Sequence, residues 1–133
     1  MYVNHRGFTI TEVLVVLAII GLLATVAVPR LLKTKERAQV AAMKSDLRNL
    51  VTIEESHQAQ NLSYTIDPGS DYHVSPGNNA PTIRLTSDGW TATMTSGFTD
   101  KQCAVFVGST PVPPAIQEGT PACATSGSTT TFP

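Results

Sequence analysis

The hydrophobic pattern divides the chain into three stretches. Phe8 to Val28 is apolar on every face, and Glu12 is its only charged residue. Read as a helix rising ~1.5 Å per residue, this run covers roughly 30 Å, the depth of a bilayer core. Past Pro29 the pattern becomes amphipathic. Val40, Met43, Leu47, Leu50 and Val51 recur at steps of three and four, while Lys44, Asp46, Arg48, Asn49 and Glu55 mark a polar face. No Gly or Pro stands between Arg30 and Asp67, so one helix is predicted from about residue 8 to 60. Pro29 removes the hydrogen bond to the Thr25 carbonyl, and Gly21 is a second weak point.

From Asn61 to Pro81 the chain reads as loop, with turn residues at Asp67-Pro68-Gly69-Ser70 and Ser75-Pro76-Gly77-Asn78-Asn79. The period then becomes two. Thr82 to Thr86 places Ile83 and Leu85 on one face. Asp88-Gly89 signals a hairpin, and Trp90, Ala92 and Met94 alternate with threonines. After a loop at Gly97, Gln102 to Val107 reads as a third strand. Beyond Gly108, with Pro111, Pro113, Pro114 and Pro121, the tail is predicted irregular. The expected fold class is α+β: a long N-terminal helix with a three- to four-stranded antiparallel meander packed on its second half.

Composition narrows the chemistry. At 133 residues the chain is one domain's worth, and the part after the helix can build only a small core. Its two cysteines, Cys103 and Cys123, lie downstream of the apolar run. In an exported domain such a pair points to a disulfide closing a loop of about 20 residues, with two reduced, buried thiols as the alternative. The net charge of −1 gives no global case for nucleic acid. Charge is unevenly placed, however. Arg30, Lys33, Lys35 and Arg37 cluster around Glu36, whereas after residue 60 Arg84 and Lys101 face Asp67, Asp71, Asp88, Asp100 and Glu118.

Gly7-Phe8 ahead of an apolar helix with Glu12 inside it, preceded by a short basic lead containing Arg6, resembles the N-terminus of type IV pilins and type II secretion pseudopilins. The resemblance is close over residues 6 to 30 and looser through the long helix, small sheet and C-terminal cysteine loop. It implies that a prepilin peptidase cleaves between Gly7 and Phe8 on the cytoplasmic side and that the new Phe8 amine is methylated. It also implies that the apolar helix is retained, first as an anchor in the bacterial inner membrane and then as the core of a filament. Glu12 is expected to pair with the Phe8 amine of a neighbouring subunit, and Gly21 and Pro29 to mark a stretch that kinks or melts on packing. The divisions that follow are 1–7 leader, 8–29 transmembrane and filament-core helix, 30–60 amphipathic helix and 61–133 head.

The chain departs from the pattern at Thr11, where an aliphatic residue is more usual; a threonine can bond back to its own helix. The basic residues also read against the implied topology, since four follow the apolar run and Arg6 alone precedes it. No catalytic constellation is legible: His5 is in the lead, His57 on the helix flank and His73 in a loop. No cofactor is expected. Asp67, Asp71, Asp88 and Asp100 lack EF-hand spacing and read as turn or capping residues rather than a calcium site. Asn61-Leu62-Ser63 matches a glycosylation sequon, and Thr125 to Thr131 could carry O-linked sugars by composition.

The expected function is a structural, major-pilin-like subunit forming a homo-oligomeric helical filament, with the prepilin peptidase and an assembly platform as partners. The alternatives are a type II pseudopilin, working in a periplasmic pseudopilus, and a minor pilin binding DNA or a surface ligand. The cysteine loop leans toward a pilin. The head's two basic residues argue against DNA, for which a basic patch is needed. A membrane-anchored exported enzyme lacks a site.

Overall fold

A computed structural model describes residues 7–127. The predicted leader residues before Gly7 and the tail from Ser128 lie outside the described residues. One helix, α1 (Ile10–Asn61), is followed by four strands: β1 (Thr82–Leu85), β2 (Trp90–Ser96), β3 (Thr99–Val107) and β4 (Ala122–Thr125). The chain divides into two compact units, 1–35 and 36–133.

In the first unit α1 continues unbroken through Gly21 and Pro29. Thr25 Oγ1 donates to the Leu22 carbonyl at 2.7 Å. None of the helix's most apolar stretch is buried. The helix is long and apolar enough to cross a membrane.

In the second unit the strands form an antiparallel meander in the order β1-β2-β3-β4. The Asp88-Gly89 turn joins β1 to β2, with Leu85 opposite Trp90 and Ile83 opposite Ala92. A Cβ on Gly89 would run into the Val107 carbonyl oxygen, so the close approach of this turn to β3 requires glycine. Met43, Leu47 and Leu50 of α1 share a core with Trp90, Ala92, Met94, Cys103 and Val105. This is the predicted amphipathic face meeting the predicted alternating face. Val40, Val51 and Ile83 pack at its margin, but Leu85 is left exposed.

The tail corrects the sequence reading. Residues after Gly108 are not wholly irregular: β4 pairs with β3, with Cys123 opposite Cys103, and the two form a disulfide. Val112, Ala115 and Ala122 cover Ala104 and Phe106 on the other face of β3. The third strand is therefore buried on both faces, helix on one side and tail on the other. Alternation along β3 makes this possible, because neighbouring side chains point to opposite faces.

The polar side of α1 also needs correction. Asp46, read as part of the solvent face, is buried at 2% exposure. It accepts hydrogen bonds from the Ser75 amide (2.9 Å), Ser75 Oγ (2.7 Å) and Asn78 Nδ2 (2.7 Å). Glu54, two turns further on, is buried and accepts from the Thr65 amide at 3.0 Å. Both positions lie close to the arc occupied by Leu47 and Leu50 at 100° per residue. The two carboxylates tie the ordered but largely irregular 62–81 segment to the helix. The helix ends at Leu62, whose φ of 58° is left-handed and whose amide bonds the Gln58 carbonyl at 2.8 Å, an αL stop built without glycine.

Candidate functional site

Thr9 and Glu12 form a reciprocal cap at the start of α1. The Thr9 amide donates to Glu12 Oε2 at 2.8 Å, and the Thr9 hydroxyl donates to the same oxygen at 2.9 Å. The Glu12 amide returns a bond to Thr9 Oγ1 at 3.3 Å. This is a capping box: the residue before the first helical position and the third residue inside satisfy each other's free backbone donors. A carboxylate there also faces the positive end of the helix dipole. The Thr11 hydroxyl lies 3.0 Å from that of Thr9. With the Thr9 proton already given to Glu12, Thr11 is the donor. The unusual threonine thus joins the polar cluster at the helix start.

Sequence reasoning treated Glu12 as an acid without an internal partner. The signal was present as Thr9-Ile10-Thr11-Glu12, the S/T-x-x-E signature. Glu12 Oε1 accepts no bond among the described residues, so one oxygen caps the helix and the other is open. Phe8 is 83% exposed, and Gly7 has nothing near its would-be Cβ. Phe8 and Glu12 stand together with Val13, Val15, Val16 and Leu17 along shallow apolar grooves on the helix surface.

Residues 3–28 match the family described as the prokaryotic N-terminal methylation motif. The chain is 42% identical over 62 residues to the type IV wide pilus major component PilA4 of Thermus thermophilus, covering 47% of each chain. It is 37% identical over 87 residues to the type II secretion system core protein G of Aeromonas hydrophila, covering 65% of this chain and 61% of that one. It is 36% identical over 62 residues to the type IV major pilin protein PilA of Myxococcus xanthus, covering 47% of this chain and 28% of that one. The homologues are thus type IV pilins and type II secretion proteins, and the chain spans under two thirds of their length. No solved structure matches.

The remaining sequence candidates fall outside the motif segment. Asp67 Oδ1 accepts from the Gly69 amide (3.0 Å) and Asp88 Oδ2 from the Ser109 amide (2.9 Å), both in turns. The Ser109 contact holds the Asp88 carboxyl below the ordinary carboxylate range. His57 Nδ1 lies 2.8 Å from the Ser63 carbonyl and so carries a hydrogen toward it. His73 lines a shallow depression with Asn49, Thr52, Ile53, Asp71 and Tyr72. Burial, and then the charge of Asp46, push the Tyr72 hydroxyl well above the ordinary phenol range. Among the described residues no group of three or more potential metal ligands converges.

Proposed function

We propose that the chain is a structural subunit of a type IV pilus-like filament, assembled after cleavage between Gly7 and Phe8 and methylation of Phe8. The observation that carries this reading is the coincidence of the methylation motif at residues 3–28 with a helix whose apolar surface has no cover of its own. Such a surface is stable in lipid and in contact with other copies of itself, and not in water. The helix is accordingly an inner-membrane anchor before assembly and a filament core after it.

Glu12 is the docking residue in this scheme. Oε2 remains engaged in the cap, and Oε1 receives the ammonium of Phe8 from an adjacent subunit. Leaving either charge alone in the apolar core is costly, so the pair selects one axial register. Gly21 and Pro29 are the positions at which the helix yields on packing. Filament formation proceeds with the prepilin peptidase and an assembly platform as partners.

The deciding experiment is to shear filaments from cells and determine the mass of the N-terminal peptide. A chain beginning at methylated Phe8, present as the main filament component, is the expected result. Processed chain confined to the membrane with no filament would reject the reading. A second reading, a pseudopilin of a type II secretion system, is supported by the match to protein G, which covers more of this chain than the pilin matches do. Loss of exoprotein export on deletion, with no surface filament at native expression, would favour it.

A further inference from the structure

The apolar run of α1 ends at Val28, and Arg30, Lys33 and Lys35 follow it within the first unit. All three are exposed, on a helix that stays unbroken through Pro29. Among the described residues none of them takes part in an ion pair. The nearest acid in the sequence, Glu36, is taken up in the second unit by Lys101, at 3.1 Å. Leu31 and Leu32 stand between the cations and are also exposed, at 55% and 62%. The stretch thus mixes long cations with uncovered apolar side chains, and no carboxylate among the described residues neutralises it.

Spacing gives the depth of each charge. At ~1.5 Å per residue, Arg30, Lys33 and Lys35 lie about 3, 7.5 and 10.5 Å past Val28. The headgroup layer of a bilayer is about 6 Å deep on each side of its hydrocarbon core. Helical side chains lean toward the N-terminus of their helix, which here means back toward the apolar run. Arg30 and Lys33 then fall within the layer, and Lys35 reaches its outer edge along a flexible stem. Direction round the axis matters as well. At 100° per residue Arg30 and Lys33 are about 60° apart, while Lys35 is about 140° from Arg30 and about 160° from Lys33. Cations on opposite sides of one helix cannot all meet one protein surface. A ring of lipid headgroups meets them all.

We propose that Arg30, Lys33 and Lys35 form a collar that binds the headgroup phosphates of acidic phospholipids where α1 leaves the bilayer. The Arg30 guanidinium offers a phosphate two parallel N–H donors, and the two lysines supply point charges. Each basic residue near an anionic surface strengthens the contact about fivefold. Leu31 and Leu32 supply apolar contact at the same depth. The collar gives a use to the basic residues that follow the apolar run: they fix the depth at which the anchor rests. This inference rests on the membrane-anchor part of the reading above and adds the class of lipid that the anchor selects.

The test uses the full-length chain, taken from membranes into mild detergent with equal amounts of added phosphatidylglycerol and phosphatidylcholine. Native mass spectrometry counts the lipids retained. Phosphatidylglycerol should exceed phosphatidylcholine about tenfold on the wild-type chain. Arg30→Gln with Lys33→Gln and Lys35→Gln should bring the two lipids to equal retention, with the chain still in carbonate-washed membranes and the head's unfolding unchanged. Arg30→Lys with Lys33→Arg and Lys35→Arg, which keeps the charges, should keep the enrichment. Equal retention on the wild-type chain, or undiminished enrichment on the glutamine variant, would overturn this inference alone. Displacement of phosphatidylglycerol by an equal concentration of soluble glycerol phosphate would make the collar a site for free phosphate groups and also overturn it. Release of the wild-type chain from membranes by carbonate would overturn the anchor reading, and this inference with it.

Discussion

In residues 10–35 the large apolar side chains lie open, with Leu14 at 58%, Leu17 at 59% and Leu22 at 72% exposure, whereas Met43, Leu47, Leu50 and Trp90 in the second unit are at 0%. One helix supplies both sets. The difference lies in what each stretch has to pack on. Residues 36–61 pack on the sheet within their own unit, while the first unit contains no sheet among the described residues. Apolar burial stabilises the head internally and is left, in the first unit, as the driving force for contact with lipid or with other chains. The acids follow the same division: Glu12 caps the start of its own helix, whereas Glu54 is bonded through one oxygen by the Thr65 amide of the loop that follows α1.

The largest expected effect breaks the first half of this comparison. Glu12→Ala should abolish filaments while leaving the processed chain in the membrane and the head's unfolding unchanged; Glu12→Gln, which keeps a weaker cap but no charge, should fail equally in assembly. Sheared-filament yield with N-terminal mass analysis checks both. Normal yield from the glutamine variant would remove the charge from the argument.

Next comes one substitution made in each unit. Leu47→Ala should destabilise the head by about 2–5 kcal/mol, the usual cost of a buried Leu→Ala change. Leu17→Ala should leave the same transition where it is. Urea unfolding in detergent, followed by the fluorescence of the single tryptophan, Trp90, reads both. A comparable shift from Leu17→Ala would mean that the first unit contributes to the head's stability.

Replacing Cys103 and Cys123 together by serine should cost about 3 kcal/mol in the chain-entropy account of a loop of this length. The sequence separation is 20 residues. The loss should be largest at β4 and over the Ala104–Phe106 face that the tail covers, and hydrogen exchange would locate it there. Uniform loss of protection through α1 would contradict a local role.

The smallest effect is a pH dependence. Burial pushes the Glu54 carboxyl above its ordinary value of 4.5; the Thr65 amide and, to a lesser extent, His57 act in the opposite direction. The folded state therefore holds this proton more tightly than the unfolded state. The Glu54 contribution is fully present below pH 4.5 and is lost as pH rises through the folded-state value. Glu54→Gln should remove that slope and leave the head equally or more stable at neutral pH. A stability that falls at neutral pH in the glutamine variant would show that the charge itself holds Thr65.

Much of this was legible before any coordinates. The apolar run, the amphipathic period from Val40 to Val51, the Asp88-Gly89 hairpin and the β3 strand all rest on local chemistry: side-chain period and turn preference. The Thr9–Glu12 cap is equally local, carried by the S/T-x-x-E spacing, but a lone charge in an apolar segment is the stronger signal at the same residue. Asp46 was misread because a polar residue was assigned to the polar face by type, although its angle places it near the core. The sequence allows a fourth strand but does not place it, because a four-residue strand among prolines carries almost no periodic signal; only pairing with β3 locates β4 at Ala122–Thr125.

By itself the sequence determined that the first helix is apolar all round, that it carries one acid at its start, and that Gly7-Phe8 stands just before it. Those are properties of composition and spacing, and they need no partner to be read. The tertiary structure decided which polar residues are buried, that the tail covers the second face of β3, and which carboxylates and cations remain unpaired. These depend on segments of the chain arriving at one place, where burial is costly for a polar group and partners such as Ser75 and Asn78 for Asp46 offset that cost.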